Sequence, residues 1–176
     1  MLFNLKQSSR LLFIGLFLPS TTGCSAMDSI ESRAVATAAE PKIVEAPIAL
    51  SPSVNARITK IQFFEGERSR AAFTMADRRY ETRFPTKMTR TVYTEISVDY
   101  PRPETTVYFP ITLYFRQNGR TLRIEEVENR IGPEWTSSSH VIGAGNFDPG
   151  KWPLGNYEVD VYINAKKAAT GYFEIY

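Results

Sequence analysis

The 176-residue chain contains one cysteine and one histidine. A single thiol cannot close an internal disulfide, and one Cys with one His cannot complete a Cys/His zinc cluster. Any Ser-His-Asp or Cys-His mechanism has only His140 to act as its base. Neither sign of charge is in excess: 21 Lys and Arg face 19 Asp and Glu, a formal charge of +2. That balance removes the electrostatic reason to expect nucleic acid as a partner. These scarcities argue against most enzyme classes, and no metal or cofactor is expected.

Long hydrophobic runs are also missing. Lys6 and Arg10 form a short basic region, followed by eight apolar residues at 11–18. As a helix that run spans roughly 12 Å, well short of a bilayer core of about 30 Å. Residues 1–23 therefore read as a signal peptide and stand outside the fold. The segment Thr21-Thr22-Gly23-Cys24 resembles the lipobox of bacterial lipoproteins, with Thr21 where the family usually carries Leu. The resemblance implies that Cys24 is acylated and becomes the mature amino terminus. Ser25, rather than Asp, then implies sorting to the outer membrane of a diderm bacterium, facing the periplasm or the cell surface. Each buried acyl CH2 contributes about 0.8 kcal/mol, so two or more chains anchor a protein stably.

Residues 24–56 hold no aromatic side chain, and Pro41, Pro47 and Pro52 interrupt them. Such a segment buries too little apolar surface to offset its ordering entropy, and reads as a flexible, disordered tether. From Arg57 the period becomes two. Thr59, Ile61 and Phe63 form one half-buried row, and Val92, Thr94, Ile96, Val98 and Tyr100 another. Val107, Phe109, Ile111, Leu113 and Phe115 make the most apolar row, in which Pro110 predicts an edge strand or a bulge. Asn118-Gly119 predicts a tight hairpin, because both positions tolerate positive φ. Leu122, Ile124 and Val127 carry its return strand, with a bulge expected at Glu125-Glu126. A last hairpin runs from Tyr157, Val159, Val161 and Ile163, through a turn at residues 164–167, to Gly171, Phe173 and Ile175. The expected fold is all-β: one immunoglobulin-like antiparallel β-sandwich of about seven strands, over residues 57–176.

Two stretches break the strand pattern and read as loops, where function sits on a rigid scaffold. Residues 65–90 are rich in Arg, interleaved with acids, and read as a solvated surface. Residues 131–154 hold both Trp residues and His140. Ser138 and His140 fall on one face of an extended chain, roughly 7 Å apart, with no G-x-S-x-G elbow beside them. Catalysis is not expected there. Trp135 is either a plug between the sheets or, with Trp152, Tyr93, Tyr108, Tyr114 and Tyr162, part of an aromatic platform. Glu125, Glu126 and Glu128 are expected as strand-surface charges, not as a calcium site.

The carboxy-terminal segments Glu134-Trp135-Thr136-Ser137-Ser138, Pro149-Gly150-x-Trp152-Pro153-x-Gly155-x-Tyr157-x-Val159 and Gly171-x-Phe173-Glu174-Ile175 resemble an immunoglobulin-like module of bacterial secreted and envelope proteins. Tyr80-x-x-Arg83-Phe84 and the Tyr114 to Gly119 turn are similar to it as well, so the likeness spans residues 58–176. It implies an accessory role in binding, spacing or docking. The expected function is non-enzymatic protein docking by an anchored domain, with cell-wall carbohydrate binding as the alternative. Candidate contacts are Trp135, His140, Trp152, Tyr108 and Tyr114, with Cys24 as the lipidation site. The intact mass of the protein from membrane fractions is expected to equal residues 24–176 plus acyl groups. Cys24→Ala is expected to remain unprocessed or leave the membrane; an unmodified mass starting near Met27 would remove the anchor.

Overall fold

The computed structural model describes residues 39–67 and 75–176. The signal peptide, Cys24 and tether residues 25–38 lie outside the described residues, as does 68–74 in the Arg-rich stretch. All the described strands and the core belong to a compact unit, Ala36–Tyr176.

Ten strands follow one another: β1 (Lys42–Ile43), β2 (Ile48–Ser51), β3 (Val54–Gly66), β4 (Arg83–Phe84), β5 (Thr91–Asp99), β6 (Val107–Gln117), β7 (Arg120–Ile131), β8 (Ser137–Gly145), β9 (Gly155–Ile163) and β10 (Lys166–Ile175). A 3-10 turn at Met75–Asp77 is the only helical element among the described residues. Alternation decides which face each strand buries. Phe109, Ile111, Leu113 and Phe115 of β6 lie beside Tyr157, Val159, Val161 and Ile163 of β9, all buried.

One sheet has the order β1-β10-β9-β6-β7, with β4 added parallel to β10; the other is β2-β3-β5-β8. Their inner faces share one apolar core. With β3, β5 and β8 as A, B and E, and β10, β9, β6 and β7 as G, F, C and C′, this is immunoglobulin-like topology. A tyrosine corner supports the assignment: the Tyr157 hydroxyl, at the start of β9, donates to the Pro153 carbonyl at 2.9 Å. The domain is an immunoglobulin-like antiparallel β-sandwich of seven long strands and three short ones.

Both expected hairpins form. Asn118 (φ 50°) and Gly119 (φ 76°) make the β6–β7 turn, and Asn164 (φ 49°) and Ala165 (φ 61°) the β9–β10 turn. Both are two-residue turns with positive φ throughout, whose twist matches that of the strands. The Asn164 amide also donates to the carbonyls of Ala49 and Leu50, at 2.8 and 3.1 Å, tying this turn to β2.

Several expectations need correction. The tether does not extend to residue 56: β1, β2 and the start of β3 occupy its second half, and Ile48, Leu50, Val54 and Ala56 are buried. Pro41 and Pro47 each precede a strand and Pro52 lies between two, so they punctuate the sheet without breaking it. Pro110 sits in an internal strand. Its carbonyl accepts from Asn164 N at 3.2 Å, so its nitrogen faces the β9–β10 turn and costs no ladder bond. The bulge in β7 falls at Leu122, where the register slips from Phe115↔Arg123 to Arg116↔Thr121, and not at Glu125-Glu126. Residues 137–145, expected as loop, form β8, with His140, Ile142 and Ala144 turned inward. Small residues disguised this strand. A Cβ at Gly143 would lie 2.5 Å from the Tyr93 ring, so the close packing there requires glycine.

Tyr157→Phe, which leaves the Pro153 carbonyl without its donor, is expected to lower stability by about 1 kcal/mol. Urea unfolding checks this; an unchanged midpoint would remove the tyrosine corner from the stabilising contacts.

Candidate functional site

The sandwich has two chemically different ends. At one, β6 and β8 begin, near the β9–β10 turn; Trp135 and Tyr108 mark it. At the other, β5 and β9 begin and β10 finishes, around Trp152.

At the first end Tyr108 is 60% exposed and Trp135 47%. The core there is already filled by Ile131, Tyr100 and Phe109, so Trp135 is not a plug between the sheets. Its loop is nonetheless held in place. The Trp135 N–H donates to the Gly132 carbonyl at 3.1 Å, and the Tyr100 N–H to Thr136 O at 2.9 Å. The indole lies over Gly132, where a Cβ would stand 3.8 Å from the ring.

Behind this loop is a hydrogen-bonded chain that the sequence spacing did not predict. Ser138 Oγ lies 2.8 Å from His140 Nε2, and His140 Nδ1 lies 3.0 Å from Asn129 Oδ1. The Asn129 amide nitrogen donates to the Val127 carbonyl at 2.9 Å, which orients Oδ1 towards the imidazole. Nδ1–H must therefore donate to Asn129, leaving Nε2 to accept the Ser138 hydroxyl. The expected separation of roughly 7 Å measures strand positions; the two side chains reach towards each other and close the gap. Asn129 belongs to β7 and His140 to β8, so the chain joins the two sheets where their edge strands meet. Phe109 meets the imidazole edge-to-face at 5.3 Å.

The arrangement has the order nucleophile, base, orienting group. Burial, however, pulls the His140 pKa down to about 4, whereas an efficient base titrates near its working pH. What the chain does structurally is satisfy a buried imidazole on both nitrogens and hold two edge strands together.

The remaining candidates lie elsewhere. Trp152 is buried, not part of a surface platform. It packs on Tyr157, Phe173 and Phe115 at 5.3, 5.9 and 6.3 Å, and its indole N–H donates to the Arg90 carbonyl at 2.9 Å. Tyr114 is half-buried on the outer face of the larger sheet, edge-on to Tyr162 at 5.0 Å. Tyr93, a candidate for the aromatic platform, is buried and stacked on Phe64 at 5.1 Å. Residues 78–80 cover that face. The Tyr80 hydroxyl and Arg78 both reach Glu95, at 2.7 and 2.8 Å, and Ser139 donates to the same carboxylate. Burial raises the Glu95 pKa, but these donors and the Arg78 charge outweigh it and leave the group lowered. This buried carboxylate was not legible as a site, because Glu95 alternates along β5 like any surface residue. Among the described residues no group of three or more His, Cys, Asp or Glu converges as for a metal ion.

No protein-family model matches the chain, and no curated protein matches its sequence. Among solved structures, similarities are found at low identity. An immunoglobulin-like protein from Pseudomonas aeruginosa is 16% identical, over 69% of this chain and 96% of that one, with a TM-score of 0.40. A β-glucosidase from Listeria innocua in complex with glucose is 9% identical, with a TM-score of 0.38. The match spans 69% of this chain but only 16% of the glucosidase.

His140 is the only histidine, so its titration is directly observable. Its folded pKa of about 4 lies below the ordinary 6.5, so the folded state disfavours the proton. The stabilisation is complete above about pH 6.5 and is lost as pH falls towards 4. The total loss is about 3 kcal/mol. Urea unfolding is expected to show it, and His140→Gln to flatten the profile across that window. An imidazole resonance titrating between 6 and 7 would contradict the burial argument.

Proposed function

We propose that the chain is a non-enzymatic envelope lipoprotein, acylated at Cys24 and held at the outer membrane. Its sandwich docks another envelope protein through the end that carries Trp135 and Tyr108. The observation that carries this reading is the pair of large aromatic side chains held in solvent there. Aromatic groups of this size dominate the energetics of protein contacts when a partner desolvates them. Their support is rigid: the Trp135 loop is hydrogen-bonded at both ends, and the Ser138–His140–Asn129 chain joins the strands behind it. A pre-formed surface loses little conformational freedom on binding. The rims suit the role as well. β7, an edge strand, bears Arg123, Glu125, Glu126, Glu128 and Arg130, and such charge deters indiscriminate strand pairing.

An exposed indole can also stack on a sugar ring, so cell-wall glycan is the competing ligand. Crosslinking in membranes is expected to capture a protein partner, and Trp135→Ala with Tyr108→Ala to reduce its recovery about tenfold. Retention on peptidoglycan that the same substitutions abolish would replace the protein partner with a glycan.

A further inference from the structure

The Trp152 end carries an unassigned surface. Four large apolar side chains stand in solvent there: Phe147 is 96% exposed, Met88 72%, Leu154 65% and Leu122 43%. Single exposed apolar residues are ordinary on any protein. The loops that carry them are tied to one another by hydrogen bonds. Asn146 N–H donates to Arg90 O at 2.9 Å, Thr86 Oγ to Trp152 O at 3.0 Å, and the Gln117 amide to Leu154 O at 2.8 Å. The β4–β5 loop, the β8–β9 loop and the β6–β7 hairpin are thus fastened around Trp152. Leu122 and Trp152 also line one shallow hollow with Lys151.

Charge around this end is mixed. Glu67 and Glu125 are paired with Arg90 and Arg123, at 3.6 and 3.7 Å. Lys87, Lys151 and Arg120 are exposed beside the apolar residues, with Asp148 and Glu65 as further exposed acids, and Glu67 and Glu125 line the hollow beside Phe147 together with Arg90. Basic side chains rimming protruding Phe, Leu and Met match an anionic bilayer surface: the cations meet headgroups while the apolar groups enter the interface.

The direction of the chain agrees. β1 runs antiparallel to β10, so Pro41 and Glu40 continue from Lys42, opposite Thr170, towards the Trp152 end. Glu40 and Pro41 line a groove along the flank between β1 and β3, with Thr59, Ile61, Phe63 and Tyr172. Cys24 lies 15 residues before Ala39, a reach of at most roughly 50 Å. We infer that the Trp152 end is a membrane-contact surface, which rests on anionic lipid through Phe147, Leu154, Met88 and Leu122 and leaves the Trp135 end facing away. The orientation borrows the acyl anchor of the proposed function; the surface itself does not depend on it.

The test uses the chain from Ser25 onward, which has no acyl acceptor but keeps the whole compact unit. It is expected to sediment with vesicles of phosphatidylcholine mixed with phosphatidylglycerol, and not with phosphatidylcholine alone. Raising the salt should release it. Phe147→Ser with Leu154→Ser, and separately Lys87→Glu with Lys151→Glu, should each weaken binding about tenfold. All four positions are exposed, so near-UV circular dichroism should stay unchanged. Binding to neither vesicle, or equal binding by wild type and both variants, would overturn the inference. So would loss of a crosslinked protein partner by the Phe147 variant without loss of vesicle binding, which would make this end a protein-docking surface. None of these outcomes bears on the mass of acylated Cys24 or on the Trp135 variants, so the two readings can fail separately.

Discussion

Phe173 of β10 meets five other aromatic rings, and the two sheets close around it. Tyr157 stacks on it at 4.9 Å, Phe63 tilts against it at 5.3 Å, and Phe84, Trp152 and Phe115 approach at 5.8, 5.9 and 6.4 Å. Phe63 comes from the four-stranded sheet, and Phe115 and Tyr157 from its partner. In antibody domains a disulfide spans the sheets, packed against a buried Trp. This chain has one cysteine and pins its sheets with rings. Each aromatic pair contributes about 0.5–1.5 kcal/mol beyond its burial; of the five, Phe63–Phe173 is the one that crosses between the sheets, and the others brace Phe173 from its own sheet and the adjoining loop. The pin also constrains the backbone: a Cβ at Gly171 would lie 2.5 Å from the Phe63 ring.

The outer faces are held by a different interaction. Asp160, on the solvent side of the larger sheet, is wholly buried beneath Lys167, Arg116 and Thr170. Burial raises its pKa, but hydrogen bonds from Lys167 and Thr170 and the charges of Lys167 and Arg116 prevail and leave it lowered. Glu95 plays the equivalent part on the smaller sheet, beneath Arg78 and Tyr80. A buried carboxylate survives only where donors meet its oxygens, so each fixes the long side chains that cover it. The outer faces are therefore partly roofed, and the ends of the sandwich remain as the places where large apolar groups meet solvent.

Those ends divide the chemistry. The Trp152 end combines apolar protrusions with basic residues over an aromatic hub. The Trp135 end combines two exposed aromatic side chains with a neutral hydrogen-bonded chain between edge strands. Both are built on strand termini tied to one another, and neither depends on a long unsupported loop. β1 adds Lys42 and Ile43 to the sandwich antiparallel to β10, opposite Thr170 and Ala169.

Fold class, the long core strands and both hairpins are legible in the chain before any packing is known. Those features are written in local periodicity and in residues that accept positive φ, as at Asn118, Gly119 and Asn164. The sequence also excludes a disulfide between the sheets, because one cysteine cannot form one. It did not disclose β2 or β8, since short strands of small residues take their pairing from neighbours distant in the chain. That Trp152 is core while Trp135 is surface emerges with packing, because burial depends on which faces the other strands have already filled. Packing alone joined Asn129 to His140 and Ser138, and Arg78 and Tyr80 to Glu95. Such partners are brought together by sheet packing and loop crossing, for which spacing along a single strand carries no signal.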